Sequence, residues 1–240
     1  MSSDPPGARL LDLVATMDRL RTGCPWDREQ THESLASHLL EESYEATEAI
    51  ETGDLDALRE ELGDVLLQVV FHARVAEERA DASRFTIDDV ATAIVDKLVR
   101  RHPHVFGEAQ VSGSDEVKAN WDAIKRAERG GGAASVTDGV PLAQPALALA
   151  AALQRRAVRG GLPEELVPAL GGDVGTVLFA LVAQARRGGE DPEAALRGTA
   201  RAFRERLAKV EAGVRDEGRE LSDLSPEEWR ERWESAAPRD

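Results

Sequence analysis

The sequence predicts an all-α protein made of two tandem helical-bundle units. Three observations predict it. Leu, Ala and Val dominate the apolar residues of the 240-residue chain while aromatic residues reach only 4%, a mix that favours helices over strands. Apolar residues recur at helical spacing in almost every segment. A run Gly130-Gly131-Gly132, followed by small and polar residues to Gly139, reads as a linker that divides the chain.

The elements follow in order. Leu10, Leu11, Leu13, Val14, Met17 and Leu20 begin an amphipathic helix that ends near Gly23-Cys24-Pro25, a turn signal. A second helix spans about 34–51. Its apolar set is Leu39, Leu40, Thr47 and Ile50. A third starts near Asp54, with its apolar face centred on Leu62, Val65 and Val69. The tight turn Thr52-Gly53-Asp54 makes these two antiparallel neighbours. A fourth starts at Thr86, where Asp89 supplies a variant capping box, and ends before Pro103. A fifth covers about 114–126. Beyond a linker at 129–140, helices are predicted near 142–158, 173–187, 192–217 and 225–236. A faint repeat joins the halves: Gly63-Asp64-Val65-Leu66-Leu67 matches Gly175-Thr176-Val177-Leu178-Phe179.

Composition excludes several classes. A net charge of −15 is a poor match to a nucleic-acid polymer, whose binders carry a basic footprint. One cysteine, Cys24, permits neither an internal disulfide nor a cysteine metal cluster. It has no obvious base beside it, which argues against a nucleophilic role. No basic-then-apolar leader and no run of about 18 apolar residues is visible, so a cytoplasmic protein without a membrane partner is expected.

The chemistry-bearing signal is a set of carboxylates. The second helix carries Glu41, Glu42 and Glu45, and the third carries Glu60, Glu61 and Asp64. At about 100° per residue, Glu42/Glu45 and Glu61/Asp64 each lie one turn apart at an edge of an apolar face. On antiparallel helices the two pairs can face each other. Singly, each reads as an ordinary exposed helix residue. As a matched set they need a cation, since each like-charge pair about 6 Å apart costs roughly 3 kcal/mol at an effective dielectric of about 20. An all-oxygen set suits a hard ion, Mg²⁺ or Mn²⁺. Lys97 and Arg101 fall on the apolar face of the fourth helix with Ile87, Val90, Ile94 and Leu98, so each needs an anion, either an acidic side chain or a phosphate. Trp121, with Val117 and Ile124 at helical spacing, reads first as plain core and alternatively as a stacking surface for a base, and Trp26 is ambiguous in the same way.

These motifs resemble the MazG family of nucleoside triphosphate pyrophosphohydrolases, within the all-α pyrophosphatase superfamily. The family hallmark, Glu-Glu-x-x-Glu followed by Glu-x-x-Asp, stands here as Glu41-Glu42-Ser43-Tyr44-Glu45 and Glu61-Leu62-Gly63-Asp64. The stretches 23–31, 96–106 and 121–125 are similar too. The resemblance implies tandem MazG-type units, with a four-helix-bundle-like core completed by a homodimer. It implies Mg²⁺ on Glu42, Glu45, Glu61 and Asp64, with Glu41 as a helper that orients or deprotonates water. It implies Lys97 and Arg101 on phosphates and Trp121 near the nucleotide. Trp26 and Lys125 lie in the matching stretches and join them as candidate substrate residues. The implied reaction is NTP plus water to NMP plus pyrophosphate, a clean-up of the nucleotide pool.

The second half departs from the pattern. Asp173-Val174-Gly175-Thr176 stands where Glu-x-x-Asp is expected, Glu164-Glu165 is followed by Pro168 rather than a third Glu, and Ala202 replaces the counterpart of Lys97. The expected layout is therefore a catalytic domain at 1–128 and a degenerate, structural or dimerising unit at 141–240. Two rival readings are a non-enzymatic acidic helical interaction module and a di-iron carboxylate bundle. The latter uses Glu-x-x-His, which is absent from the acidic helices.

Overall fold

The computed structural model describes residues 7–128, 135–167 and 171–237. The linker segment 129–134, Pro168 and the side chain of Lys125 lie outside what is described. Every regular element among the described residues is helical, so the all-α expectation holds. No described helix is long and apolar enough to cross a membrane. The chain separates into two compact units, Met1–Glu128 and Arg129–Asp240.

The first unit contains α1 (Ala8–Gly23), α2 (Pro25–Glu29), α3 (His32–Thr52), α4 (Leu55–Glu77), α5 (Ile87–Arg101), α6 (Pro103–Phe106) and α7 (Ser114–Glu128). Its centre is the antiparallel α3–α4 hairpin. Local chemistry dictates the hairpin's ends. Thr31 accepts a hydrogen bond from the Ser34 backbone N–H, and Ser34 Oγ accepts one from the Thr31 N–H, a reciprocal cap. Gly53 closes α3 at φ 74°, a left-handed conformation that costs glycine nothing. Asp54 then caps α4 by accepting from the Asp56 and Ala57 N–H groups. At α5, Thr86 and Asp89 form the predicted reciprocal cap. Met17 of α1, Leu35 of α3, and Val70 and Phe71 of α4 form the buried core, backed by Leu13, Val14, Leu67, Val75 and Ile87.

Two expectations are corrected. The buried stripe of α3 is Leu35, Ala46 and Ala49, and that of α4 is Gln68, Val70, Phe71, Ala73 and Ala76. Leu40, Ile50, Leu62 and Val69 are exposed instead. Residues 91–100 of α5 are exposed throughout, so Lys97 does not point into a core. The reason is common to both. These helices are apolar on more than one side, and spacing counts apolar side chains without saying which side meets a neighbour. The turn at Cys24-Pro25 also proves to open the short helix α2, with Pro25 in its first turn, where a missing N–H costs nothing.

The second unit contains α8 (Ala146–Arg159), α9 (Val174–Arg187), α10 (Pro192–Asp216) and α11 (Pro226–Ser235). Its α8 begins later than predicted because Pro145 cannot sit inside the helix. Val210, Val214 and Leu224 pack with Leu221, Trp229 and Trp233. The Arg206 guanidinium lies 4.4 Å from the Trp233 ring centroid, a cation–π contact.

Candidate metal centre

The centre grows out of the hairpin. Successive turns of α3 place His38, Glu42 and Glu45 on one stripe, spaced i, i+4, i+7. The same spacing on α4 aligns Asp64, Gln68 and Phe71, with Glu61 one turn before Asp64. Packing the helices antiparallel lays the stripes side by side. One carboxylate oxygen each from Glu42, Glu45 and Glu61 falls within 4.8 Å of the others. Asp64 is the strongest charged neighbour of Glu42 and also acts on Glu61. Three of the sequence-predicted quartet therefore converge, with Asp64 near enough to act on two of them.

The electrostatics are those of crowded anions. Partial burial pushes the Glu42 carboxyl above the ordinary carboxylate range, and Asp64, Glu45 and Glu41 push it further. Glu61 is raised by desolvation and then by Glu45, Asp64 and Glu60. The charged groups that act most strongly on both are acids. A hard divalent ion fits this donor set: all oxygen, several full charges, and room for water and phosphate oxygens in the remaining positions.

The other candidates divide. Trp26, on α2, is 54% exposed. Its ring meets His38 edge-on at 6.1 Å and Phe71 at 6.4 Å, centroid to centroid. It therefore packs against His38, which stands one helical turn before Glu42 on α3. Arg101 is held by Glu128 at 2.6 Å, and Arg100 reaches the same carboxylate at 2.7 Å. The two guanidiniums pull Glu128 down to about 2. The salt-bridge alternative for Arg101 is thus realised within the chain, and Lys97 is exposed. Trp121 is half-buried and packs edge-on against His102 at 5.0 Å. Its indole N–H is buried without a partner. Glu41 is exposed, 3.8 Å from His38 Nδ1.

Sequence reasoning missed three supports. His38 stands four residues before Glu42, a spacing that could have revealed it. Glu128 and Arg21 could not be found that way, because their partners lie 27 and 57 residues distant. Arg21 is buried at 8% exposure. It donates two hydrogen bonds to Glu78, at 2.9 and 2.8 Å, and also bonds the carbonyls of Asp27 and Gln30. It thereby fastens α2, and Trp26 with it, to the bundle.

Known proteins share this arrangement of sequence. The family described as the MazG nucleotide pyrophosphohydrolase domain matches residues 30–106, which hold all four carboxylates together with Lys97 and Arg101. The chain is 44% identical over 244 residues to the nucleoside triphosphate pyrophosphohydrolase of Mycolicibacterium smegmatis, covering 96% of this chain and 71% of that protein. It is 41% identical over 247 residues to the nucleoside triphosphate pyrophosphohydrolase/pyrophosphatase MazG of Thermotoga maritima, covering 94% of each. It is 38% identical over 251 residues to the nucleoside triphosphate pyrophosphohydrolase of Escherichia coli K12, covering 92% of this chain and 94% of that one. With relatives this similar along nearly its whole length, and with the hallmark acids gathered on one hairpin, the chain belongs to the MazG nucleotide pyrophosphohydrolase family.

Proposed function

We propose that this protein hydrolyses nucleoside triphosphates to nucleoside monophosphate and pyrophosphate, cleaning the cytoplasmic nucleotide pool. The observation that carries the reading is the convergence of Glu42, Glu45 and Glu61 oxygens within 4.8 Å, with Asp64 beside them. These four residues would hold Mg²⁺, with Mn²⁺ as a substitute. The ion supplies charge neutralisation at the triphosphate oxygens and a site for water. Glu41, exposed beside the quartet, orients the attacking water or takes its proton. Attack at the α-phosphorus releases pyrophosphate whole. Arg101, with Lys97 and Lys125, neutralises the departing phosphates. For Arg101 this requires exchange of Glu128 for a phosphate, and the guanidinium fork suits either anion. Trp26 and Trp121 are the stacking surfaces for the base. The test is a panel of NTPs and dNTPs with and without Mg²⁺, read by product identity. NMP plus pyrophosphate, formed only with Mg²⁺, is the expected result. NDP plus orthophosphate would overturn attack at the α-phosphorus.

We further propose that the working form is a homodimer. Leu62, Leu66 and Val69 make an exposed stripe on α4, and Ile94 and Leu98 make another on α5. Apolar surface in such runs marks an interface. The second unit supports an assembly role of its own. At the repeat offset, Val174, Leu178 and Leu181 of α9 stand for Leu62, Leu66 and Val69 and are likewise exposed. The metal positions are not preserved in the same way: Thr176 replaces Asp64, and Asp173 spends its carboxylate accepting from the Thr176 N–H as a helix cap. The double variant Leu66→Glu, Leu98→Glu should sediment as a monomer where the unmodified protein sediments as a dimer. A monomeric unmodified protein would end this reading.

A further inference from the structure

At the end of the hairpin far from Gly53, the His32 and His72 rings lie 2° from coplanar, with centroids 5.1 Å apart and Nδ1 to Nδ1 at 2.8 Å. Coplanar rings meeting nitrogen to nitrogen at this distance share one proton, because one Nδ1 must donate and the other accept. His72 Nε2 is buried without a partner. A buried lone pair is tolerated better than a buried N–H, so His72 donates its Nδ1–H and keeps Nε2 bare. His32 then accepts at Nδ1 and carries its proton on Nε2. We propose that this pair is a single-proton clamp that positions α3 against α4, and hence Glu42/Glu45 against Glu61/Asp64, and that it opens when either ring gains a proton. The proposal rests on the metal reading only for its effect on Mg²⁺.

The hairpin needs such a tie. Its middle carries like charges that push the helices apart, while the Thr52–Asp54 turn restrains one end. The pair restrains the other, alongside Leu35 and Phe71. His72 does not take a second proton readily. His72 lines an apolar hollow with Leu39, Val69, Ala73, Phe85 and Val90, from α3, α4, the following loop and α5, and its Nε2 has no hydrogen-bond partner there to receive a second N–H. Burial, and then the neighbouring His32, hold His72 below the ordinary imidazole range. At His32 the proton would displace the shared one. His32 acts on Glu33 of its own helix, which also feels Arg79 beyond α4. Arg79 is itself paired with Asp81. The sign follows from linkage. A histidine whose folded value is depressed leaves the unfolded chain holding more protons, so the clamp is at full strength above the ordinary value of about 6.5 and weakens as pH falls below it.

The test uses the full chain with ¹⁵N-labelled histidine, metal-free, followed by NMR against pH. Of the five imidazoles, two are expected to be neutral at pH 7.5, one as each tautomer, with the Nδ1–H of His72 shared between them and His72 titrating below the ordinary imidazole range. His32→Gln and His72→Gln identify them. The same tautomer in both rings, or a His72 that titrates at the ordinary imidazole value, would overturn the clamp, and this arm needs no bound metal. In the second arm, His72→Gln is expected to weaken Mg²⁺ binding at pH 7.5 by about tenfold, the scale of lost outer-shell support. It should also flatten the acid-side fall in Mg²⁺ affinity between pH 7.5 and 5.5 that the unmodified protein shows. Unchanged affinity and an unchanged acid limb would remove the positioning role while leaving the proposed hydrolysis standing. Absence of Mg²⁺ binding in the unmodified protein would instead remove the metal reading.

Discussion

Glu42→Ala is expected to lose Mg²⁺-dependent NTP hydrolysis by at least about 10²-fold in kcat/KM, since a directly coordinating carboxylate matters more than the outer-shell partners worth 10–100-fold. Glu42 sits where three other acids meet: it touches the field of Asp64, Glu45 and Glu41 and shares the 4.8 Å cluster. Removing it takes one proposed ligand and one carboxylate from the site. A second signature separates this from misfolding. In the metal-free state the carboxylates repel, so the variant should melt no lower than the unmodified protein. Only the unmodified protein should be stabilised by Mg²⁺, by about 2.7 kcal/mol at a hundredfold excess over its Kd. Calorimetric melts with and without Mg²⁺ check both. An equal Mg²⁺-induced rise in the variant would mean that Glu42 is not a ligand. The pH dependence has a definite sign. Glu42 and Glu61 are raised in the fold, so the metal-free native state holds more protons than the unfolded chain just above the ordinary carboxylate range. Their contribution to metal-free stability is present below that range and is lost as pH rises through the raised values. Mg²⁺ binding runs the other way and strengthens over the same window, because it requires both groups ionised.

Arg21→Met is the second large effect, and it falls first on stability. The substitution keeps the apolar stem but removes four hydrogen bonds. Two go to backbone carbonyls, and two go to Glu78, which is part exposed and can recover some water. The expected loss is roughly 3 kcal/mol, below the top of the range for breaking a fully buried ion pair. Denaturant unfolding measures it. A loss under about 0.5 kcal/mol, the size of an ordinary surface substitution, would refute the clamping role. Arg21 also holds Glu78 below the ordinary carboxylate range through their hydrogen bonds. That share of stability is present at neutral pH and disappears as pH falls through the folded value. Because Arg21 bonds Asp27 and Gln30, the segment bearing Trp26 should loosen as well, raising KM for the nucleotide more than it lowers kcat. Equal effects on all parameters would detach Trp26 from substrate.

What the sequence determined by itself is what depends on near neighbours along the chain. Helical periods gave the all-α class and nearly every helix. Thr86 with Asp89 announced the start of α5, and Gly53 the hairpin turn, because caps and turns act over three or four residues. The carboxylate set was equally legible. Each pair is one helical turn long, and a short turn leaves antiparallel packing as the simple way to bring the pairs together. Tertiary structure alone decided the rest. It chose which apolar side of α3 and α4 is buried, sending Leu62 and Val69 outward and Phe71 inward. It gave Arg101 to Glu128, Arg21 to Glu78, and His32 to His72. Those partners are 27, 57 and 40 residues apart, and a contact closed over so long a loop leaves no periodic trace in the chain. It exists only once the helices have packed.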